Sequence, residues 1–170
     1  MSAAQRIAVR PAHRRDAETL VAFSTALAWE TEGRSLDEDR LRRGTLAVLE
    51  SESKGFYLVA EAHDGASDSV IGQLLVTYEW SDWRNGTFWW IQSVYVAPAW
   101  RGRRVYKLLH GWVVQRARSR PDVCGIRLYV EETNKTAQMV YTRVGLQPST
   151  YRVFEQDFVL PNPEGRPPSS

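Results

Sequence analysis

The sequence predicts a mixed α/β (α+β) fold. One twisted, mostly antiparallel sheet of about six to seven strands carries about four helices on its two faces. Three observations lead there. Short apolar or alternating runs of strand length recur along the chain, and amphipathic runs at helical spacing fall between them. A turn cluster at 64–69 and the pair Asn85-Gly86 join three consecutive strands as hairpins. The run from Trp89 to Val96 is apolar at both parities, as a strand covered above and below must be. The resulting order is β-α-α-β-β-β-α-β-α-β.

Each element has its own signal. Arg6 to Arg10 is a short strand that Pro11 stops. A helix follows from about Arg14 to Trp29, with Ala17, Leu20, Val21, Ser24 and Leu27 near one face. Asp37 can cap a second helix that ends near Ser51. Strands are expected at 55–63, 70–80 and 89–96. In the last of these, strict alternation puts Trp90, Val94 and Val96 on one face, and Trp89, Ile91 and Tyr95 on the other. After Gly102 comes a helix with Val105, Leu108, Leu109, Trp112 and Val113 on one side, closed by Pro121. Cys124 to Glu131 is a strand. Asn134 to Val144 is a helix with Gly145 as its stop. Tyr151 to Leu160 alternates and reads as a final strand.

At 170 residues, a single domain over 1–160 is expected, with a Pro/Ser-rich, disordered tail at 161–170. A net charge of +2 and the absence of a binding motif argue against a nucleic-acid binder, despite the basic RGRR and RARSR runs. The single cysteine, Cys124, rules out an intrachain disulfide, and no run has signal-peptide or membrane-spanning length. A cytoplasmic protein that needs neither membrane nor metal is expected. Seven tryptophans are many for this length, and several must line a core, a pocket or an interface.

Two strand-to-helix segments carry the chemistry. The first is QSVYVAPAWRGRRVYKLL. A helix N-terminus with unpaired N–H groups follows Arg101, Gly102, Arg103 and Arg104, and such a terminus can cradle a pyrophosphate. The second is LYVEETNKTAQMVYTRVGL, in which Asn134, Ala137 and Tyr141 share a helix face ahead of Gly145-Leu146. On its residues alone, Asn134 could equally be an N-cap, and Tyr141 a half-buried helix tyrosine.

Together these segments resemble the GNAT superfamily of acetyl-CoA-dependent N-acetyltransferases, and the element order does so over nearly the whole chain. The resemblance implies acetyl-CoA as cosubstrate. Its pantetheine would pair with Val94 and Val96 and meet Asn134, and the small Ala137 would admit it. Its pyrophosphate would lie on the loop from Arg101, Gly102, Arg103 and Arg104 to Val105 and Tyr106. Arg104 and Tyr106 stand where the family carries glycine or a small residue. The loop amides keep their aim if φ stays negative at Arg104, with its side chain turned outward. Tyr141 would protonate the departing thiolate, and a phenol with a pKa of about 10 is still protonated at neutral pH.

The proton of the incoming ammonium needs a base or water. Glu79 is the candidate carboxylate, Glu131 a second, and Gln92 and Ser93 could orient water; His110 is expected to be partly exposed. Glu30 and Glu32, in the loop that lines the acceptor site in the family, could hold a cationic amine, or be plain surface charges. Trp80 and Trp90 could form an aromatic wall by cation–π attraction, or simply pack the sheet. The resemblance therefore implies acetyl transfer to a primary amine, a small molecule rather than a protein, by direct attack in a ternary complex within a homodimer. The alternative is a non-catalytic acyl-CoA sensor.

Overall fold

The computed structural model describes residues 6–63 and 68–160. The expected tail at 161–170 and most of the turn at 64–69 lie outside them. Strand β1 (Arg6–Pro11) leads through a short 3-10 turn into helix α1 (Ala17–Glu32), which stops at Gly33 in the left-handed region. Helix α2 (Glu38–Leu49) starts where the Asp37 side chain accepts the Arg40 amide, the cap read from the sequence. Strands β2 (Phe56–His63), β3 (Asp68–Ser81) and β4 (Gly86–Val96) form the antiparallel meander, and Asn85 takes the positive φ its turn requires. Helix α3 (Val105–Arg118), strand β5 (Val123–Leu128) and helix α4 (Lys135–Arg143) complete the order.

The sheet order is β1-β2-β3-β4-β5, antiparallel up to β4, with β5 parallel to β4. Two apolar layers hold it. On one face Leu109 and Val113 of α3 pack on Leu58, Leu74, Val76, Trp89 and Ile91. On the other, Leu20 of α1 meets Tyr57 and Val59, with Val48 and Leu49 of α2 alongside. Helices thus cover both faces, as expected. At Gly72 the chain of α3 comes close enough that a Cβ would stand 3.3 Å from Val105. That approach pins the first turn of α3 to β3.

Two expectations need correcting. The described residues form five strands, fewer than six to seven, because 151–160 carries no strand. An extended segment needs a ladder partner for its backbone and a core for its apolar side chains. In the single chain this segment has neither, and Phe154 and Phe158 are 92% and 88% exposed. The second correction concerns β4. The β3–β4 register shifts between Leu75 and Val76, opposite the stretch from Ile91 to Ser93. One extra residue resets the alternation. Val94 and Val96 therefore join Trp89 and Ile91 on the α3 face, while Trp90 and Tyr95 face the other way.

Candidate active site

The site starts from a disagreement in length. Strands β4 and β5 pair from Thr87/Val123 to Ile91/Leu128, where β5 ends, and β4 runs on to Val96. Past Ile91 the β5-side edge of β4 has no ladder partner among the described residues. That edge leads into the loop to α3, and α4 meets the start of α3 where Tyr141 packs on Tyr106.

In that loop, Pro98–Trp100 forms a single 3-10 turn, and Gly102 adopts φ 76°. Arg104 is the N-cap of α3 and takes the left-handed φ of 65°, where a negative φ was expected. The Cβ makes this conformation cost on the order of 1 kcal/mol. The turn demands it, because α3 begins at Val105, which is docked against Gly72. Arg103 lies over the Trp100 ring at 5.0 Å. Arg101 folds back: its Nε donates to the Val96 carbonyl at 2.9 Å, and an Nη donates to Glu30 at 2.6 Å. Tyr95 donates its hydroxyl to the same carboxylate at 2.9 Å. The Arg101 bond, then that of Tyr95, holds the Glu30 carboxyl below its usual range.

In α4 the Asn134 oxygen accepts the Ala137 amide at 2.9 Å, which makes Asn134 an N-cap whose carboxamide NH2 can still donate. Tyr141 stacks edge-on against Tyr106, 5.6 Å between centroids, and Tyr106 lies 5.7 Å from the His110 ring. His110 is buried, not partly exposed as expected, and its Nε2 has no partner among the described residues. Burial pushes the Tyr141 phenol up. Burial first, then Tyr141, pushes Tyr106 up further, and burial lowers His110. These shifts keep Tyr141 protonated at neutral pH, the state that a general acid requires.

The acceptor candidates separate. Glu79 pairs with Arg127 of β5 at 2.6 Å, and its β4 partner is Phe88. Phe88 lies four residues before Gln92, about 13 Å at the rise of a strand. The Arg127 guanidinium lies over the Phe88 ring at 3.7 Å, and Trp90 stacks on Tyr129 at 4.6 Å. Gln92 donates to Thr77 at 2.8 Å. Glu30 is engaged by Arg101 and Tyr95, and Glu32 meets Arg34 at 3.4 Å. Trp80 follows Tyr78, which packs toward Trp89 on the α3 face, so it lies on the opposite face from Trp90. Sequence reasoning missed Tyr95, Phe88, Arg127 and Tyr129. The even spacing of Arg127 in β5 and Tyr129 just past its end was a signal, but only the β4–β5 register reveals their partners. Two grooves of about 580 Å3 lie elsewhere, one between β1 and α3 and one beside Arg10 and Asp16.

Residues 21–146 match the acetyltransferase (GNAT) family. No curated protein sequence matches the chain. The structure superposes on a possible acetyltransferase from Clostridium difficile 630, with TM-score 0.82, 38% identity, and coverage of 91% of this chain and 99% of that one. Two more distant structures share the fold. An aminoglycoside N-acetyltransferase, AAC(6')-Iy, in complex with CoA gives TM-score 0.72 at 14% identity, covering 94% and 99%. A ribosomal-protein-alanine N-acetyltransferase from Brucella melitensis biovar Abortus 2308 gives 0.68 at 14%, covering 90% and 100%. The chain belongs to the GNAT acetyltransferase family. None of the described helices is long and apolar enough to cross a membrane.

The residues fit acetyl-CoA. The open edge of β4 suits a linear amide-bearing chain, the α3 N-terminus suits a pyrophosphate, and Ala137 is small, while two features must be accommodated: Arg101 holds the Val96 carbonyl, and Arg104 has a positive φ.

The raised Tyr141 value gives a direct expectation. A phenol kept neutral by the fold contributes stability that is full below its unfolded value of about 10 and is lost as pH rises through the folded value. The absorbance difference at 295 nm between wild type and Tyr141→Phe should titrate above pH 10. A transition at or below that value contradicts the burial assigned to Tyr141.

Proposed function

We propose that this protein is a cytoplasmic, acetyl-CoA-dependent N-acetyltransferase that acetylates a primary amine on a small molecule. The reading rests above all on the parting of β4 from β5 and on the half-buried Tyr141, which meets Tyr106 on the first turn of α3. Pantetheine enters along Val94 and Val96 and meets the Asn134 carboxamide; the pyrophosphate sits on the amides from Gly102 to Tyr106. Arg101 must release Val96 for this to happen, and a phosphate is a fitting alternative partner for its guanidinium. Arg103 and Arg104 supply further positive charge at the same loop.

The amine attacks the thioester directly in the ternary complex. Tyr141 donates its proton to the departing thiolate. The ammonium proton leaves through water held near Thr77 and Gln92, and Glu79 is the carboxylate on that face that can receive it. Trp90 walls the acceptor. Glu32 belongs to its approach, and Glu30 becomes available to an amine once Arg101 turns to phosphate; Trp80, on the other face of the sheet, takes no part. Arg104 and Tyr106, standing where the family carries small residues, favour a second reading, an acyl-CoA sensor without turnover.

Thiol release from acetyl-CoA, followed against a panel of amines, separates the two. The enzyme reading expects release that depends on one class of amine. It also expects Tyr141→Phe to lower kcat by roughly a hundredfold while calorimetric acetyl-CoA binding survives. Binding with no release for any amine supports the sensor instead.

A homodimer is part of the proposal. The exposed apolar residues of 151–160 would gain a ladder and a core from a second copy. Light scattering should give twice the mass of the chain, falling to one chain for Phe154→Asp with Phe158→Asp. A wild-type monomer contradicts it.

A further inference from the structure

The face of β4 and β5 beyond the thioester carries a fixed cation that the acetyl-transfer chemistry does not use. Pantetheine running along the free edge of β4 must stop where the strands rejoin, at Ile91 and Leu128. An amine reaching the thioester from the α1 face therefore arrives beside Gln92. Arg127 is opposite Trp90 in the β4–β5 register, two residues further along, or about 7 Å.

The sequence builds this arginine in. Gly125 has no side chain, and a Cβ there would stand 2.6 Å from the Phe88 ring, so Phe88 can lie across β5. The Arg127 guanidinium then rests over the Phe88 ring at 3.7 Å, with the Trp90 ring 5.9 Å away. One Nη donates to Glu79 at 2.6 Å, which fixes the orientation of the fork and leaves other N–H donors at its edge. The side chain keeps 35% of its exposure. Nearby, Trp90 Nε1 is enclosed and has no partner among the described residues, a second donor with no acceptor.

We infer that the acceptor carries an anionic group, a carboxylate or phosphate, about 7 Å from the amine it presents, and that Arg127 binds that group. This deepens the acetyltransferase reading and rests on it. It favours ω-amino acids, short peptides with a free carboxylate, or amino-sugar phosphates over polycations.

Matched acceptors test it: 5-aminovalerate and glycylglycine with their carboxylates, 1,5-diaminopentane and glycinamide without them, glucosamine 6-phosphate against glucosamine, and an aminoglycoside. Thiol release should favour the anionic member of each pair. Arg127→Gln should raise KM for that member by roughly ten- to a hundredfold, with the KM for acetyl-CoA unchanged as the internal check on folding. Arg127→Lys should lie between. Preference for the uncharged or polycationic members overturns the inference while the enzyme reading stands. So does an Arg127→Gln enzyme whose KM for the anionic acceptor is unmoved. Release with no amine at all overturns both.

Discussion

The end of β5 at Leu128 is the constraint on which the rest depends. Parallel strands hold each other only while both continue. Once β5 turns away, the last residues of β4 keep their bonds to β3 but lose them on the other side. An unpaired edge inside a fold needs a partner with amides and carbonyls of its own. A linear diamide chain meets that need, and the loop to α3 offers amides at one end for a negatively charged group. The helices matter because of where they start. Val105 on Gly72 fixes the first turn of α3, and Asn134 fixes that of α4. With both starts fixed, Tyr106 and Tyr141 meet edge to face.

The arginines of this loop divide the work in a way their spacing conceals. Arg101 closes a small network with Val96, Glu30 and, through the carboxylate, Tyr95. The carboxylate sits at the C-terminal end of α1, where the helix dipole disfavours an anion, and the guanidinium offsets that. The network ties the end of β4 to α1, so the open edge of β4 and the face beneath α1 share a residue. A group that draws Arg101 away changes both. Arg104 has a different part. Its side chain reaches the groove beside Lys107 and Leu108, while its backbone takes the conformation that glycine would adopt freely.

Much of this was legible in the chain. The hairpin at Asn85-Gly86, the Asp37 cap, the two-faced apolar run of β4 and the Asn134/Ala137/Tyr141 spacing each have a local cause, and each appears where that cause puts it. What failed to show depends on register or on a second surface. The bulge opposite Leu75 and Val76 inverts the face of Val94, Val96 and Tyr95, and no residue in β4 announces it. The partnership of Arg127 with Phe88 and Glu79 joins three strands and needs Gly125 to stay bare. The alternation of 151–160 was real as a pattern, but a pattern becomes a strand only when an edge is there to receive it. Arg101 matched its motif by identity, yet its side chain is spent on Val96 and Glu30.

The most direct measurement is a titration of 15N-labelled protein with acetyl-CoA, read amide by amide. Binding along the open edge of β4 should move the amides of Val94, Val96, Gly102 and Ala137 together, and should shift the Arg101 Nε–H as it leaves the Val96 carbonyl. Shifts confined to Ile7, Val9, Leu108 and Trp112, in the groove between β1 and α3, would contradict the central claim, as would a spectrum that acetyl-CoA leaves unchanged.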